Sequence, residues 1–395
     1  MPLLPQYAPE FSVRIDGEPL PAAMRGSVAS ISYQDGIEGA DRVEMTLANP
    51  SLRFLDDPLL APDREFRLLI GYAGAPLEEV FNGNISGVEP SFPAAGMPVI
   101  RVTAQDELQY LQAGTKDRAF RVHIPSIGNF PVPDPIVTSM VAALDGLIPL
   151  PDPVGGPLSA LITLATVFAF PQTAQLSVRR QQSQSDFQFL QEISSANGWE
   201  MYIDHEMEPR GKILRFQFVV QDYSPSLTLS WGSSLIDFTP RITTVGEIFG
   251  VAARVWVETL KTEFVIAVSW DYDRAALNLT VFPSLIGEAD KVLGPTAEGK
   301  VLSVQPTGYA AAPLTILGVL LPKLNNRIKG AGTAVGNPAI RGSRVVRFEG
   351  LGSEFSGKYR IVTATHTFDN SGYRTSFQAR KEVWFGSIPT PSGRP

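Results

Sequence analysis

The chain has 395 residues, 44% of them hydrophobic and 18% charged, with a net charge of −7. That length sets two or three domains with a sizeable core, and the acidic balance argues against a nucleic-acid surface, which needs Lys and Arg in excess to neutralise phosphates. With no cysteine, disulfides, thiolate catalysis and Cys-ligated metals are excluded together.

The N-terminal MPLLPQYAPEF has neither a basic flank nor a long apolar core, so no secretory signal is expected. Residues 1–114 read as a first β domain. Phe11, Val13 and Ile15 alternate into the turn Asp16-Gly17, and Val28–Tyr33, Val43–Leu47, Arg64–Tyr72, Asn84–Phe92 and Val99–Gln105 follow as strands. Asp106 to Leu111 reads as one closing helical turn.

Residues 115–226 read as a middle α+β domain. Pro125, Pro131, Pro133 and Pro135 punctuate its start, and Ile136, Met140, Ala143 and Leu147 stand at helical spacing. A Pro-rich loop leads to Leu158–Phe170, an apolar run that reads as a second helix or a buried strand pair. It is too short to span a bilayer, and as a helix it suits a subunit contact. Ser185 with Gln188 forms a capping-box signature, Asp186 favours the helix start, and Gly198 marks the stop. Phe187, Leu190 and Ile193 are its expected buried stripe. Trp199–Ile203 and Ile213–Val220 read as a hairpin against it.

Residues 227–386 read as a second β domain, with strands Leu227–Trp231, Arg254–Thr259 and Glu263–Trp270 and a helix over Ala311–Asn325. Three antiparallel strands close it: Arg344–Glu349, Lys358–Phe368 and Tyr373–Arg380, the last two joined by the turn cluster Asp369-Asn370-Ser371-Gly372. Residues 387–395 read as a disordered tail. Within these strands Phe355-Ser356-Gly357 and Val362 echo Phe81-Asn82-Gly83 and Val88 at an offset of 355 − 81 = 274. An aromatic-x-Gly entry recurs by chance, yet the shared order of strand, corner, FxG, strand, turn and strand favours duplication.

No catalytic constellation emerges. Gly352 to Lys358 matches G-x-x-x-x-G-K, but Tyr359 stands where a magnesium-binding hydroxyl belongs, and the alternating segment beyond offers no helix N-terminus for phosphates. His123, His205 and His366 fall in separate segments and read as surface or hydrogen-bonded residues rather than metal ligands. Asp271 and Asp273 read as solvated charges at a strand end. No catalytic, metal or cofactor residue is assigned.

The ordered set of motifs resembles phage late control protein D and the hub portion of VgrG proteins, the baseplate hubs of contractile tails and injection systems. The residues that carry it are Ile70-Gly71-Tyr72, Val80 to Ile85, Val88-Glu89-Pro90, Asp106-Glu107-Leu108 with Leu111, Ser185 to Leu190 with Gly198 and Tyr202, Gly336 to Arg341, Gly350, Phe355 to Tyr359, His366 and Gly372-Tyr373. Pro149 to Pro171 departs from the pattern as an insertion. The resemblance implies a mainly β fold with an α+β middle part, two similar tube-like antiparallel β-barrel domains flanking the smaller helix-containing one. It implies a non-enzymatic homotrimer with pseudo-six-fold symmetry (3 × 2 = 6 modules). Its partners would be a separate trimeric spike protein, the first ring of an inner tube protein and other baseplate proteins. The expected location is the bacterial cytoplasm during assembly, then the baseplate of the tail or injection particle. The competing reading is a tail-associated carbohydrate-binding or hydrolytic protein built on Trp256 and Trp270.

Overall fold

The computed structural model describes residues 8–37, 39–125, 128–153, 155–169, 178–218, 224–242, 250–257, 261–271, 276–283, 301–304 and 324–382. The first module holds β1 (Pro9–Ile15), β2 (Glu18–Pro19), α1 (Ala22–Arg25), β3 (Val28–Gly36), β4 (Arg42–Ala48), β5 (Glu65–Tyr72), β6 (Glu78–Ser91) and β7 (Val99–Gln105), closed by α2 (Leu108–Leu111). Asp16 and Gly17 turn β1 into β2 with φ of 52° and 84°, the left-handed pair that matches a hairpin's twist. Val43, Met45 and Leu47 point inward as their alternation requires, fully buried with Phe66, Leu68 and Phe81.

The middle part comprises β8 (Lys116–Ile124), β9 (Gly128–Pro131), α3 (Asp134–Leu144), β10 (Ile148–Leu150), α4 (Gly155–Ala169), β11 (Arg179–Gln184), α5 (Asp186–Asn197), β12 (Trp199–Asp204) and β13 (Ile213–Phe218). The apolar run left open between helix and strand pair is the helix α4. Both halves of the Ser185–Gln188 capping box form, and Gly198 ends α5 at φ 68°. Phe189, Leu190 and Ile193 are buried in α5 and Phe187 only half-buried, so the expected stripe is rotated by a residue. In α3 Val137, Thr138, Val141 and Ala142 are buried; of the residues at helical spacing Ile136 and Met140 are about half exposed, while Leu147, just past the helix, is buried. The helix is apolar on nearly every side, so spacing alone does not choose its buried face. Replacing Ser185 with alanine removes a cap from an interior helix and is expected to cost about 0.5–2 kcal/mol, read from the shift of a urea midpoint at constant slope.

The second module contains β14 (Leu227–Ser230), β15 (Leu235–Ile242), β16 (Gly250–Val257), β17 (Thr262–Asp271), β18 (Ala276–Pro283), β19 (Val301–Val304), β20 (Ile328–Val335), β21 (Val345–Glu349), α6 (Gly352–Phe355), β22 (Gly357–Asp369) and β23 (Gly372–Lys381). Strands β16 to β19 form a separate four-stranded sheet inserted between β15 and β20. The helix expected over Ala311–Asn325 lies outside the described residues apart from its last two. Strand β20 escaped the sequence reading because Gly330 and Gly332 interrupt it. Both glycines admit close approach: a Cβ would stand 2.4 Å from the Phe238 ring at Gly330 and 2.4 Å from the Asp237 carbonyl at Gly332.

The two β modules repeat one strand order, β3-β4-β7-β6-β5 in the first and β15-β20-β23-β22-β21 in the second; beyond it β1 runs antiparallel to β5 and β14 parallel to β21. The match extends to single bonds. The Asp63 N–H donates to the Ile85 carbonyl and Ile85 N–H to the Arg64 carbonyl; the Ser343 N–H donates to the Ile361 carbonyl and Ile361 N–H to the Arg344 carbonyl. Asp63 and Ser343 even share a left-handed φ, 66° and 69°. A bulge follows Ile85 and Ile361 alike. The structural offset is therefore 361 − 85 = 276, two residues out of step with the FxG echo, which marks the right strands in a shifted register. Neither module closes into the expected barrel. Instead the far half of β22, Thr363–Phe368, pairs with β3, so both modules share one open sheet of 13 strands. Among the described residues no helix is long and apolar enough to cross a membrane.

Candidate functional site

The join between modules is built around Arg341, on the loop between β20 and β21. Its Nη2 donates to the Val80 carbonyl of β6 at 2.7 Å and its Nε approaches Asp35 Oδ2 of β3 at 3.4 Å. Asp35 Oδ1 also accepts the Gly342 N–H at 2.6 Å. The backbones meet so closely there that a Cβ on Gly342 would lie 2.9 Å from Gly36 Cα. From the middle part, Glu206 pairs with Arg344 and stands 3.6 Å from Arg341. Three parts of the chain thus share one guanidinium, which lies 11% exposed.

Tyr33 and His366 complete the join from facing strands. They are register partners, stacked with centroids 5.6 Å apart, and both are fully buried. His366 Nε2 donates to the Ile340 carbonyl at 3.0 Å, which leaves Nδ1 to accept from the Tyr373 hydroxyl at 2.8 Å. Burial pushes His366 down to about 3, with Arg341 adding to the effect, so the ring is neutral and acts as a spacer with a fixed tautomer. Burial likewise drives the Tyr33 hydroxyl well above its ordinary range.

Beside them a polar cavity of about 570 Å³ opens between Asp35, Tyr202, His205, Arg215, Arg341 and Arg344. At its edge Asp41, Asp106 and His205 bring possible ligand atoms within 4.8 Å of one another, all buried. Sequence spacing could not reveal this, since the loop carrying His205 reaches β6 only through the tertiary fold. The hydrogen bonds oppose metal ligation. Nδ1 of His205 accepts the Asn82 N–H at 3.2 Å, which places the ring proton on Nε2, 3.2 Å from Asp41 Oδ2 and off a good hydrogen-bond line. A ligating histidine has the opposite polarity, with its second nitrogen donating. The carboxylates are also engaged: Asp106 accepts from the N–H of Asp41 and Leu108, and Asp41 from that of Gly36. His123 is exposed beside Asn129 and is not a member of this cluster.

Crowding of acids makes the join pH-sensitive. Burial raises Asp35 to about 7, Asp41 adds to this and Arg341 opposes it; burial and Asp41 also raise Asp106. A folded-state pKa above the ordinary 3.8 means that the folded chain holds a proton the unfolded chain has released. That contribution to stability is complete below the unfolded value and lost as pH rises through about 7. The melting temperature is therefore expected to fall from pH 5 to pH 8, and Asp35→Asn to flatten the decline; an unchanged slope in the variant would contradict the assignment.

The remaining sequence candidates are dispersed. Gly352 to Lys358 forms the single turn α6 followed by strand, with Lys358 paired to Arg347 in the sheet. Asp271 ends β17, and Asp273 lies outside the described residues. Trp256 and Trp270 lie on β16 and β17, with side chains outside the described residues.

Two edges of the shared sheet are incompletely paired among the described residues. Strand β15 has β20 on one side; on the other Leu235 bridges Trp231, and among the described residues nothing pairs with Phe238–Ile242, where Phe238, Pro240 and Ile242 are only half-buried. On β6, β5 covers the flank as far as Asn84, and Ser86–Ser91 beyond is free among the described residues.

No family model matches the sequence, and no curated protein matches it. The fold, however, matches solved structures over nearly the whole chain. The 43 kDa tail protein of prophage MuSo2 from Shewanella oneidensis has a TM-score of 0.62 at 11% identity, covering 95% of this chain and 99% of that one. A tail protein from Neisseria meningitidis MC58 has a TM-score of 0.62 at 11% identity, covering 97% and 100%. The E. coli c3393 protein, described as a component of the type VI secretion system with structural similarity to T4 bacteriophage tail proteins gp27 and gp5, has a TM-score of 0.56 at 10% identity, covering 97% and 80%.

Proposed function

We propose that this chain is a structural hub in the baseplate of a phage tail or contractile injection system. Three copies form a ring of six similar modules, with a near-six-fold face for the first ring of the inner tube protein and a three-fold face for a separate trimeric spike. The observation that carries this reading is the repeat itself: two modules of one strand order, joined edge to edge in a single open sheet. A hexagonal tube and a three-fold spike share no common symmetry operator beyond the triad, and a protomer with two matching modules satisfies both.

The division into modules at 1–114 and 227–386 around a middle domain at 115–226 belongs to this proposal. So does the surface role of the middle part, whose exposed Ile136, Met140, Leu161 and Leu164 suit contacts with other baseplate proteins. The polar join supports a non-enzymatic reading, because Arg341 and Asp35 are committed to fixing one module against the other. Light scattering tests the proposal: the expected mass is 3 × 42.9 = 128.7 kDa, and negative-stain images should show a six-lobed ring. A monomer at every concentration, with a hydrolytic activity abolished at one carboxylate, would support the competing reading.

A further inference from the structure

Resting on the hub reading, we infer that neighbouring copies are joined by strand pairing, β15 of one copy lying along the free flank of β6 in the next, Phe238–Ile242 against Val88–Phe92. The chain already contains this seam once. Strand β22 carries β21 over its first residues and β3 over Thr363–Phe368, on the flank opposite β23. Strand β6 carries β5 on the equivalent flank and, among the described residues, leaves the remainder empty. The strand equivalent to β3 is β15, at the open end of the sheet. Each module therefore has one donor edge and one acceptor flank, and the chain uses only the donor of the first and the acceptor of the second. Repeating the same junction head to tail leaves no unpaired partner when the ring closes.

The register follows from the repeat. With Ile85 on Ile361, Val88–Phe92 fall on Ala364–Phe368. Gln105 falls on Arg380 and Arg42 on Lys329, hence Gln34 on Arg241. The internal pairs Asp35–Ala364, Gln34–Thr365, Ser32–Thr367 and Ile31–Phe368 then become Ile242–Val88, Arg241–Glu89, Thr239–Ser91 and Phe238–Phe92 between copies. Apolar meets apolar and cation meets anion, although the register was set without regard to side-chain type. Burial agrees with a surface awaiting its cover: Phe368 is 6% exposed within the chain, and Phe92 is 60% exposed.

One pair differs. The Ile37 N–H donates to the Val362 carbonyl, so alternate residues, Tyr33 among them, turn their N–H toward the seam. Pro240 and Pro90 take the places of Tyr33 and His366 and remove both hydrogen bonds of that pair. The same prolines blunt both edges against pairing with unrelated strands.

The absence of cysteine makes the test direct. Arg241→Cys combined with Glu89→Cys places thiols on a narrow, non-hydrogen-bonded pair, the spacing a disulfide accepts. Mild oxidation of the double variant should give covalent dimers and closed trimers on a denaturing gel. Gln34→Cys with Thr365→Cys should give an intramolecular bond at the equivalent internal position. Arg241→Glu should raise the concentration for half-assembly by about tenfold, and adding Glu89→Arg should restore it. Trimers by light scattering that neither cross-link at 241–89 nor respond to the charge exchange overturn the seam and leave the hub reading standing. A chain that stays monomeric removes both.

Discussion

Replacing Arg341 with methionine is expected to destabilise the protein by about 3–5 kcal/mol, the scale for removing one member of a buried charge group. Burial disfavours the guanidinium, yet Tyr33, Asp35 and Glu206 hold its pKa above the ordinary value, so it stays charged within the fold. Its removal leaves the Val80 carbonyl with the Tyr33 hydroxyl alone and Asp35 beside Asp41 without a cation. Arg341→Lys should recover only part of the loss, because an ammonium cannot reproduce the planar fork that spans Val80 and Asp35. Urea unfolding of both variants checks this. Indistinguishable midpoints for wild type and Arg341→Met would mean that the modules are held by strand pairing alone.

The effect should be pH-dependent in a defined direction. As pH falls through about 7 the raised pKa of Asp35 lets a proton neutralise part of the charge that Arg341 otherwise balances. The Arg341→Met defect is thus expected to shrink as pH falls from 8 to 6. Asp35→Asn in the same background should make the defect small at both values. This pairs two changes at contact distance, where non-additivity is informative.

Sequence legibility divided along physical lines. Period-2 segments such as Val43–Leu47 and Tyr373–Arg380 declared themselves because one face is buried and the other solvated. The α5 cap was readable because Ser185, Gln188 and Gly198 act locally. The inward face of α3 was not, since burial there is decided by what packs on it. Nor was β20, whose glycines suit the Phe238 ring rather than any local preference. The Arg341 join was least visible, as it unites Asp35, Val80 and Glu206 across more than two hundred residues, and only proximity in space gives those residues a shared chemistry. The duplication was legible in kind but shifted in register: FxG is a local way to enter a strand, while equivalence is fixed by the bulges and by the paired bonds at Ile85 and Ile361.

The second large effect is expected at the far end of the second module. Glu382 Oε1 accepts from Arg360 Nε at 2.8 Å and from Arg380 Nε at 3.0 Å, and Arg380 also pairs with Glu200 of β12. Arg360 and Glu382 are almost completely buried. Strands β22 and β23 and the middle part are fastened at this point. Glu382→Ala should cost about 3–5 kcal/mol, because two guanidinium groups in low dielectric then lose the carboxylate they share. The informative companion is Arg360→Met with Glu382→Leu, which removes both buried charges and fills their volume with apolar atoms. Exchanging a buried pair for packed hydrophobic groups is often neutral, so the double variant should be more stable than Glu382→Ala by about 2 kcal/mol or more. Arg380 keeps Glu200 in either case, which holds the comparison to one pair. If the double variant proves as unstable as the single, the network serves packing at the β22–β23 end rather than compensation of charge, and the middle part is anchored chiefly through Arg344 and Glu206 at the opposite join.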